Sequence, residues 1–172
     1  MGGEGEGTSI ETIGPYELRH PDNFPSITED PYHLVDFLLK SHNIKPSSSI
    51  IDIGTATGII PFLLASKGVA GRITAVEVDA GIARCAKENV ERSGLGKKIT
   101  IINKDYRELD GIFEAASFDI IVSNPPYIKA GHGRVSANEQ RAVARSEELG
   151  TLKELIKIAK YLLNENGSLF LI

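Results

Sequence analysis

The sequence of 172 residues has a single cysteine, no excess of positive charge and no apolar run long enough to cross a bilayer. One cysteine, Cys85, excludes an internal disulfide and fits a reducing compartment. The net charge of -4 argues against a large sequence-independent nucleic-acid surface, although it allows a small basic patch. A signal-peptide pattern is also missing, so we expect a cytoplasmic protein with no membrane partner.

The length predicts one ordinary domain with enough apolar content for a core. Residues 1–7 alternate glycine and glutamate and cannot bury an apolar surface. We therefore predict a flexible N-terminal segment over residues 1–20 and a folded domain over residues 21–172.

Short apolar runs alternate with helical patterns along this domain. Helices are predicted to start with Asp30 as the N-cap before Pro31, at Gly58, at Ala80 and at the capping box of residues 151–154. Strands are predicted over residues 49–53, 72–78, 99–103, 118–123 and, after a turn at Asn166 and Gly167, 168–172. Because the strands are apolar throughout, helices must cover both faces. The pattern predicts an α/β fold with a Rossmann-like, doubly wound, mostly parallel sheet.

A glycine-bearing turn follows the first of these strands and leads into a helix. Its backbone can approach a ligand closely, and acidic residues end the strand and its two successors. The predicted cofactor-binding residues are Asp52, Gly54, Thr55, Ala56, Gly58, Glu77, Val78, Asp105 and Tyr106. Glu77 can accept hydrogen bonds from ribose hydroxyls, Asp105 from an adenine amino group, and Tyr106 can cover the adenine face.

The ligand of this turn is predicted from the charge of its surroundings. Three carboxylates disfavour phosphate but suit a molecule with a ribose and an ammonium group, which describes S-adenosylmethionine. NAD is the competing ligand, but the full Gly-x-Gly-x-x-Gly spacing is absent. A purely structural strand-to-helix turn is the other alternative.

The motif Asn124, Pro125, Pro126 and Tyr127 follows the predicted strand 118–123 and supplies the predicted catalytic residues. The Asn124 side-chain oxygen and the Pro125 carbonyl can face the N–H groups of a planar amine and stabilise positive charge as a methyl group arrives. Each proline restricts the residue before it, and Tyr127 offers a stacking surface. A stiff turn is the structural alternative. We expect no metal, since a sulfonium methyl donor is already activated.

Positive charge then gathers in residues 129–145, which contain one acid, Glu139. We predict RNA phosphate contacts for Lys129, His132, Arg134, Arg141 and Arg145. A solvated loop and helix would carry the same charges.

Together these residues resemble the class I S-adenosylmethionine-dependent methyltransferases: residues 52–58 match their first motif, Glu77 their second-strand acid, and residues 124–127 their amino-methylating motif. Ala56 departs from the usual glycine. Residues 124–147 resemble one branch, the bacterial tRNA adenine-N6 methyltransferases that act beside the anticodon of a valine tRNA. This resemblance implies S-adenosylmethionine as cofactor and tRNA as the substrate partner.

Two other functions stay open at this point. Glutamine-N5 methylation of a peptide release factor uses the same Asn-Pro-Pro-Tyr motif, and a cofactor- or RNA-binding module without catalysis needs only part of the site. The family also adds two strands after the last one predicted here, so we expect the C-terminal part of the sheet to be missing. The exposed final strand is then a possible edge for a homo-oligomer.

Overall fold

The computed structural model describes residues 9–22, 24–125 and 152–172. The strands are β1 Ser9–Ile13, β2 Tyr16–His20, β3 Ser49–Ile53, β4 Arg72–Glu77, β5 Ile99–Asn103, β6 Phe118–Ser123 and β7 Leu163–Leu171. The first two form a separate antiparallel hairpin, and the other five form a parallel central sheet in the order β5-β4-β3-β6-β7. The helices are α1 Asp30–Ser41, α2 Ile59–Ser66, α3 Ala80–Arg92 and α4 Leu152–Leu162, with a 3-10 helix at Tyr106–Gly111.

The predicted doubly wound α/β sheet is confirmed. From β3 the chain moves outward through β4 to β5, and then returns to place β6 on the other side of β3. Strand order therefore reverses between β3 and β6. In open parallel sheets, ligands bind beyond the carboxyl ends of the strands at such a switch point.

Apolar side chains cover both faces of the sheet, because neighbouring residues of a strand point to opposite sides. Ile50 packs with α1, α2 and the hairpin, whereas Ile51 and Ile53 pack with α4 and the 3-10 helix. All three isoleucines are at most 2% exposed. This two-sided burial explains the uninterrupted apolar runs and fixes the position of the strand ends.

The hairpin corrects the prediction of a flexible segment over residues 1–20. From Ser9 onward the chain pairs in antiparallel register, and Ile13 and Leu18 are buried in the core. Tyr16 packs its ring edge-on against Phe62 of α2, with the ring centres 5.6 Å apart. These contacts bury enough apolar surface to order a short hairpin that could not persist in isolation.

Element boundaries differ from the predictions at three places. Glu29 rather than Asp30 is the N-cap of α1, and β4 ends one residue earlier than expected. The predicted turn at residues 166–167 lies instead inside β7, where the pairing register shifts before regular pairing resumes at Ser168. There the Asn164 amide donates to the Asp119 carboxylate. Thr151 of the predicted capping box lies outside the described residues.

No described helix has both the length and the apolar character needed for a membrane crossing. Within the described ranges, His, Cys, Asp and Glu side chains form no group of three or more suited to a metal ion. The expectation that two further strands are missing stays a prediction.

Candidate active site

Residues 54–58, here called the glycine turn, connect β3 to α2 through left-handed backbone. Gly54 has φ +78° and Gly58 has φ +100°, and Ala56 adopts φ +52° despite its Cβ. The Gly54 and Thr55 N–H groups donate to the Val76 carbonyl at 2.9 and 3.0 Å. The predicted tight turn is therefore present, and its two glycines stand where a side chain would be strained.

Glu77 ends β4 and holds the glycine turn by hydrogen bonds from backbone. Its Oε2 accepts from the Ala56 N–H at 3.0 Å, and its Oε1 accepts from the Asp79 N–H at 2.9 Å. Burial raises the pKa of the Glu77 carboxyl, while these two backbone donors act in the opposite direction. The Val78 N–H also interacts with this carboxyl. The predicted ribose contact of Glu77 stays a prediction.

Asp52 lies at the end of β3 and is completely buried. Neither carboxyl oxygen makes a hydrogen bond of good geometry to the described residues, and the nearby buried Thr55 hydroxyl makes none either. Burial raises the pKa of Asp52 to about 7; an interaction with the Thr55 side chain opposes the rise and the charge of Glu77 adds to it. Unpartnered buried acceptors are costly, and here they collect beside the glycine turn.

The end of β5 is organised differently from the prediction of an open adenine acceptor. Asp105 accepts from the Arg107 backbone N–H at 2.9 Å and from the Arg107 guanidinium at 2.5 Å. This side-chain contact is the main cause of the lowered pKa of Asp105. Tyr106 packs against the core on the α4 side, and Val78 is 37% exposed. Adenine binding by Asp105 and Tyr106, and cofactor binding by Val78, stay predictions.

Asn124 emerges beside the glycine turn because of the sheet register. Ile53 of β3 pairs with Ser123 of β6, so Gly54 and Asn124 are the next residues of two adjacent parallel strands. Neighbouring strands lie about 5 Å apart. The buried Ser123 hydroxyl also donates to the Ile53 carbonyl at 2.7 Å, which ties the two strand ends together.

Asn124 and Pro125 are both half-buried at this edge. The remaining predicted catalytic and RNA-binding residues lie outside the described residues: Pro126, Tyr127, Lys129, His132, Arg134, Arg141 and Arg145.

Several polar residues of the site were not predicted. His20 and Asn89 contact Thr57 of the glycine turn, and Asn103 donates from its side chain to the carbonyls of Glu77 and Val78. Of these residues, only Asn89 could be found from the sequence, because its spacing from Ala86 puts both on one face of the helix. The structure shows that both are buried. A polar residue on an apolar stripe indicates a buried hydrogen-bond network.

Comparison with known proteins agrees with this geometry. Residues 34–172 match the model of the methyltransferase small domain. A tRNA1(Val) (adenine(37)-N6)-methyltransferase from Porphyromonas gingivalis is 37% identical over 133 residues, covering 74% of this chain and 51% of that protein. The enzyme of the same name from Bacteroides fragilis is 34% identical over 125 residues, covering 73% and 52%. The chain thus spans about half the length of these curated relatives.

A solved structure shows the same fold at low sequence identity. TYW2 from Pyrococcus horikoshii, in complex with MeSAdo, aligns with a TM-score of 0.67 and 13% identity over 95% of this chain and 51% of that chain. The match to the family model covers most of the sequence, including β3, the glycine turn and Asn124. The chain belongs to the methyltransferase small domain family.

Proposed function

We propose that this protein methylates the exocyclic N6 amine of an adenine in RNA, with tRNA as the substrate and S-adenosylmethionine as the methyl donor. The observation that carries the proposal is the position of Asn124 next to the glycine turn, at the reversal of strand order. The site for the methyl donor and the motif that binds the amine then lie next to each other at the carboxyl ends of the strands. The names of the curated relatives support adenine in tRNA as the acceptor.

The residues around the glycine turn fit the proposed cofactor. Gly54 faces open space, which lets ligand atoms approach the backbone, and we assign the ribose hydroxyls to the Glu77 carboxylate. Asp52 offers two unpartnered oxygens to an ammonium group. Because this carboxyl is closed to solvent, an ammonium reaches it through an intervening water or after the turn shifts. Bound S-adenosylmethionine supplies a sulfonium-activated methyl group.

Asn124 and Pro125 are assigned the acceptor side of the reaction. The lone pair of an adenine amino nitrogen is delocalised into the ring, which makes it a poor nucleophile. Two oxygen acceptors on its N–H groups favour a pyramidal nitrogen and stabilise the charge that develops during transfer. We assign these acceptors to the Asn124 side-chain oxygen and the Pro125 carbonyl, while Pro126 orients that carbonyl and Tyr127 stacks on the base.

RNA recognition is assigned to Lys129, His132, Arg134, Arg141 and Arg145. Their charges follow directly after the reactive motif and contrast with the net charge of -4 for the whole chain. An unpaired adenine of an anticodon loop enters a pocket at little unstacking cost. A location in the cytoplasm, where such a substrate is found, and association of two copies along the edge strand β7 stay predictions.

A nucleoside assay tests the proposal. The purified chain is incubated with labelled S-adenosylmethionine and tRNA that lacks the modification, and digested nucleosides are separated by mass. We expect N6-methyladenosine, and a loss of turnover on the order of 100-fold or more for Asn124→Ala. Asn166→Ala is the matched control, because this exposed residue lies in β7 before Ser168, the partner of Ile120, and so toward the amino ends of the strands, away from Asn124.

Three outcomes of the assay contradict the proposal. Methylation of a release-factor glutamine without any adenine product favours the amide substrate. Cofactor binding without methylation of either substrate favours a binding module. Unchanged turnover of Asn124→Ala removes this residue from the mechanism.

A further inference from the structure

Two elements from outside the sheet meet at Thr57 in the glycine turn. Thr57 is 1% exposed, and its Oγ1 lies 2.8 Å from Nδ1 of His20, the last residue of the hairpin. Its carbonyl accepts from the Asn89 side-chain amide of α3 at 3.1 Å. Thr57 is therefore held through both its side chain and its backbone.

Asn89 joins the hairpin to the same point. Its amide nitrogen also donates to the Arg19 carbonyl at 2.9 Å, and its oxygen accepts from the Arg19 N–H at 3.0 Å. The Arg92 guanidinium donates to this oxygen as well, at 3.0 Å. The fully buried amide thus uses two donor and two acceptor positions, so it has no spare capacity to adopt another arrangement.

Burying His20 costs folding free energy that a purely structural position would not require. It is 4% exposed and stacks on Phe24, yet its Nε2 has no hydrogen-bond partner among the described residues. Burial lowers the pKa of the imidazole, with the charge of Glu11 acting against this change. An apolar ring would fill the same space without an unpaired nitrogen. The contact that such a ring cannot make is the one to Thr57.

We propose that the hairpin is part of the cofactor site and that His20 is a positioning residue, which fixes the glycine turn through Thr57. The inference rests on the proposed function, since it takes the turn as the cofactor-binding element. The hairpin lies before residue 34, where the match to the family model begins.

The opposite side of the turn explains why this contact matters. There, β4 holds the turn through the Val76 carbonyl and the Glu77 carboxylate. These contacts reach Gly54, Thr55 and Ala56, whereas Thr57 is held by His20 and Asn89. With His20 and Asn89 in place, the turn is fixed from two sides before the ligand arrives, which lowers the entropy cost of binding.

Two pairs of variants isolate the hydrogen bond. His20→Phe keeps the ring and its stacking but loses Nδ1, whereas His20→Asn can restore a polar atom near that position. Thr57→Val loses the hydroxyl and Thr57→Ser keeps it. We expect S-adenosylhomocysteine to bind roughly threefold to tenfold more weakly to His20→Phe and Thr57→Val, and near wild-type affinity for the other two, measured by titration calorimetry.

Tyr32→Phe is the matched control. The Tyr32 hydroxyl donates to the Glu11 carboxylate at 2.7 Å, so this variant weakens the attachment of the same hairpin to α1 without touching the turn. We expect a lower melting temperature with unchanged cofactor affinity. The double variant of His20→Phe with Thr57→Val should bind no more weakly than either single variant, because one contact is lost in all three.

Amide hydrogen exchange provides a readout on the free protein. His20→Phe should accelerate exchange across residues 54–58, whereas Tyr32→Phe should not. The inference is overturned if exchange of the turn is unaffected, or if Tyr32→Phe weakens cofactor binding as much as His20→Phe. A wild-type protein that does not bind the cofactor refutes the proposed function instead, and the exchange comparison still decides whether His20 orders the turn.

Discussion

Asp52 and Glu77 are two buried acids at the ends of adjacent strands, yet their surroundings are opposite. Glu77 accepts backbone N–H groups on both oxygens, among them those of Ala56 and Asp79. Asp52 is more deeply buried and receives none from the described residues. The pKa is raised for both carboxyls, first of all by burial, and reaches about 7 for Asp52.

The difference suggests a structural role for Glu77 and a ligand-binding role for Asp52. Glu77 uses its acceptors to shape the glycine turn, so the folded chain needs it whether or not a ligand is present. Asp52 receives no backbone N–H from the described residues, and burying its charge costs folding free energy. Such a cost is typical of groups that are reserved for a ligand. Both residues were predicted as cofactor ligands, and that role stays a prediction for each.

The largest expected effect that tests this comparison is a pH dependence of stability caused by Asp52. Its pKa of about 7 in the folded protein lies above the ordinary value of 3.8, so the folded state binds the proton more tightly. The contribution of Asp52 to the free energy of unfolding should therefore be highest below pH 4 and decrease as pH rises to about 7. The decrease from this residue is at most about 4 kcal/mol.

Asp52→Asn isolates this contribution. Urea unfolding of the wild type and of this variant is compared at pH values between 4 and 8, where the other groups titrate in both proteins. We expect the variant to gain stability relative to the wild type as pH rises. Parallel curves would show that Asp52 is stabilised by a partner.

A smaller loss is expected when Glu77 is replaced. In Glu77→Gln one carboxylate oxygen becomes an NH2 group, which faces a backbone N–H that still needs an acceptor. The variant should lose about 2 kcal/mol of unfolding free energy. Glu88→Gln, at an exposed acid of α3, should change stability by less than about 0.5 kcal/mol. Equal unfolding midpoints for the two variants would contradict a structural role of Glu77.

Replacing Asp52 should also weaken cofactor binding, by a free energy somewhat smaller than the stability lost in Glu77→Gln. Under the proposed function, Asp52→Asn replaces a charged acceptor with a neutral one, which weakens binding of S-adenosylhomocysteine about tenfold at pH 8. At pH 6 the wild-type carboxyl is mostly protonated, so the two proteins should bind with similar affinity. Calorimetric titration at both pH values measures the gap, and a gap that does not depend on pH would refute this assignment.

The smallest expected change in stability concerns Ala56, whose N–H donates to Glu77. Ala56 is held at φ +52°, and glycine there relieves the backbone strain while it adds flexibility to the unfolded chain. Ala56→Gly should gain about 0.5 kcal/mol in unfolding free energy. Ala116→Gly is the control, at φ +57° away from the site, and should gain the same. A gain for Ala116→Gly alone would show that the Glu77 contact already compensates the strain at Ala56.

Much of this site could be predicted because its determinants are local. Apolar runs identified the strands, and glycines next to acids identified the turn and the roles open to Asp52 and Glu77. The switch point followed from strand order in a doubly wound fold. Asn124 was placed correctly for the same reason, since a residue that follows a parallel strand lies at its carboxyl edge.

The remaining contacts join residues that are far apart in the sequence. His20 and Thr57 are separated by 37 positions, and neither has a neighbour that signals the hydrogen bond. The hairpin escaped prediction because its strands bury only a few side chains, and half of its strand residues are exposed. Asp105, in contrast, has its partner close in the sequence. The Arg107 guanidinium, two positions away, donates to the carboxylate for which an adenine contact was predicted.

The buried hairpin has a practical consequence for anyone who shortens this protein. Trimming the chain to the stretch that the family model recognises removes Ile13 and Leu18, which are among the least exposed side chains. Each contributes about 1.5–3 kcal/mol by burial, a large share of the margin that keeps a small domain folded. Residue 34, where the match to the family model begins, is therefore a poor place to truncate the protein. Precipitation of such a truncated protein would reflect lost stability and would not test catalysis.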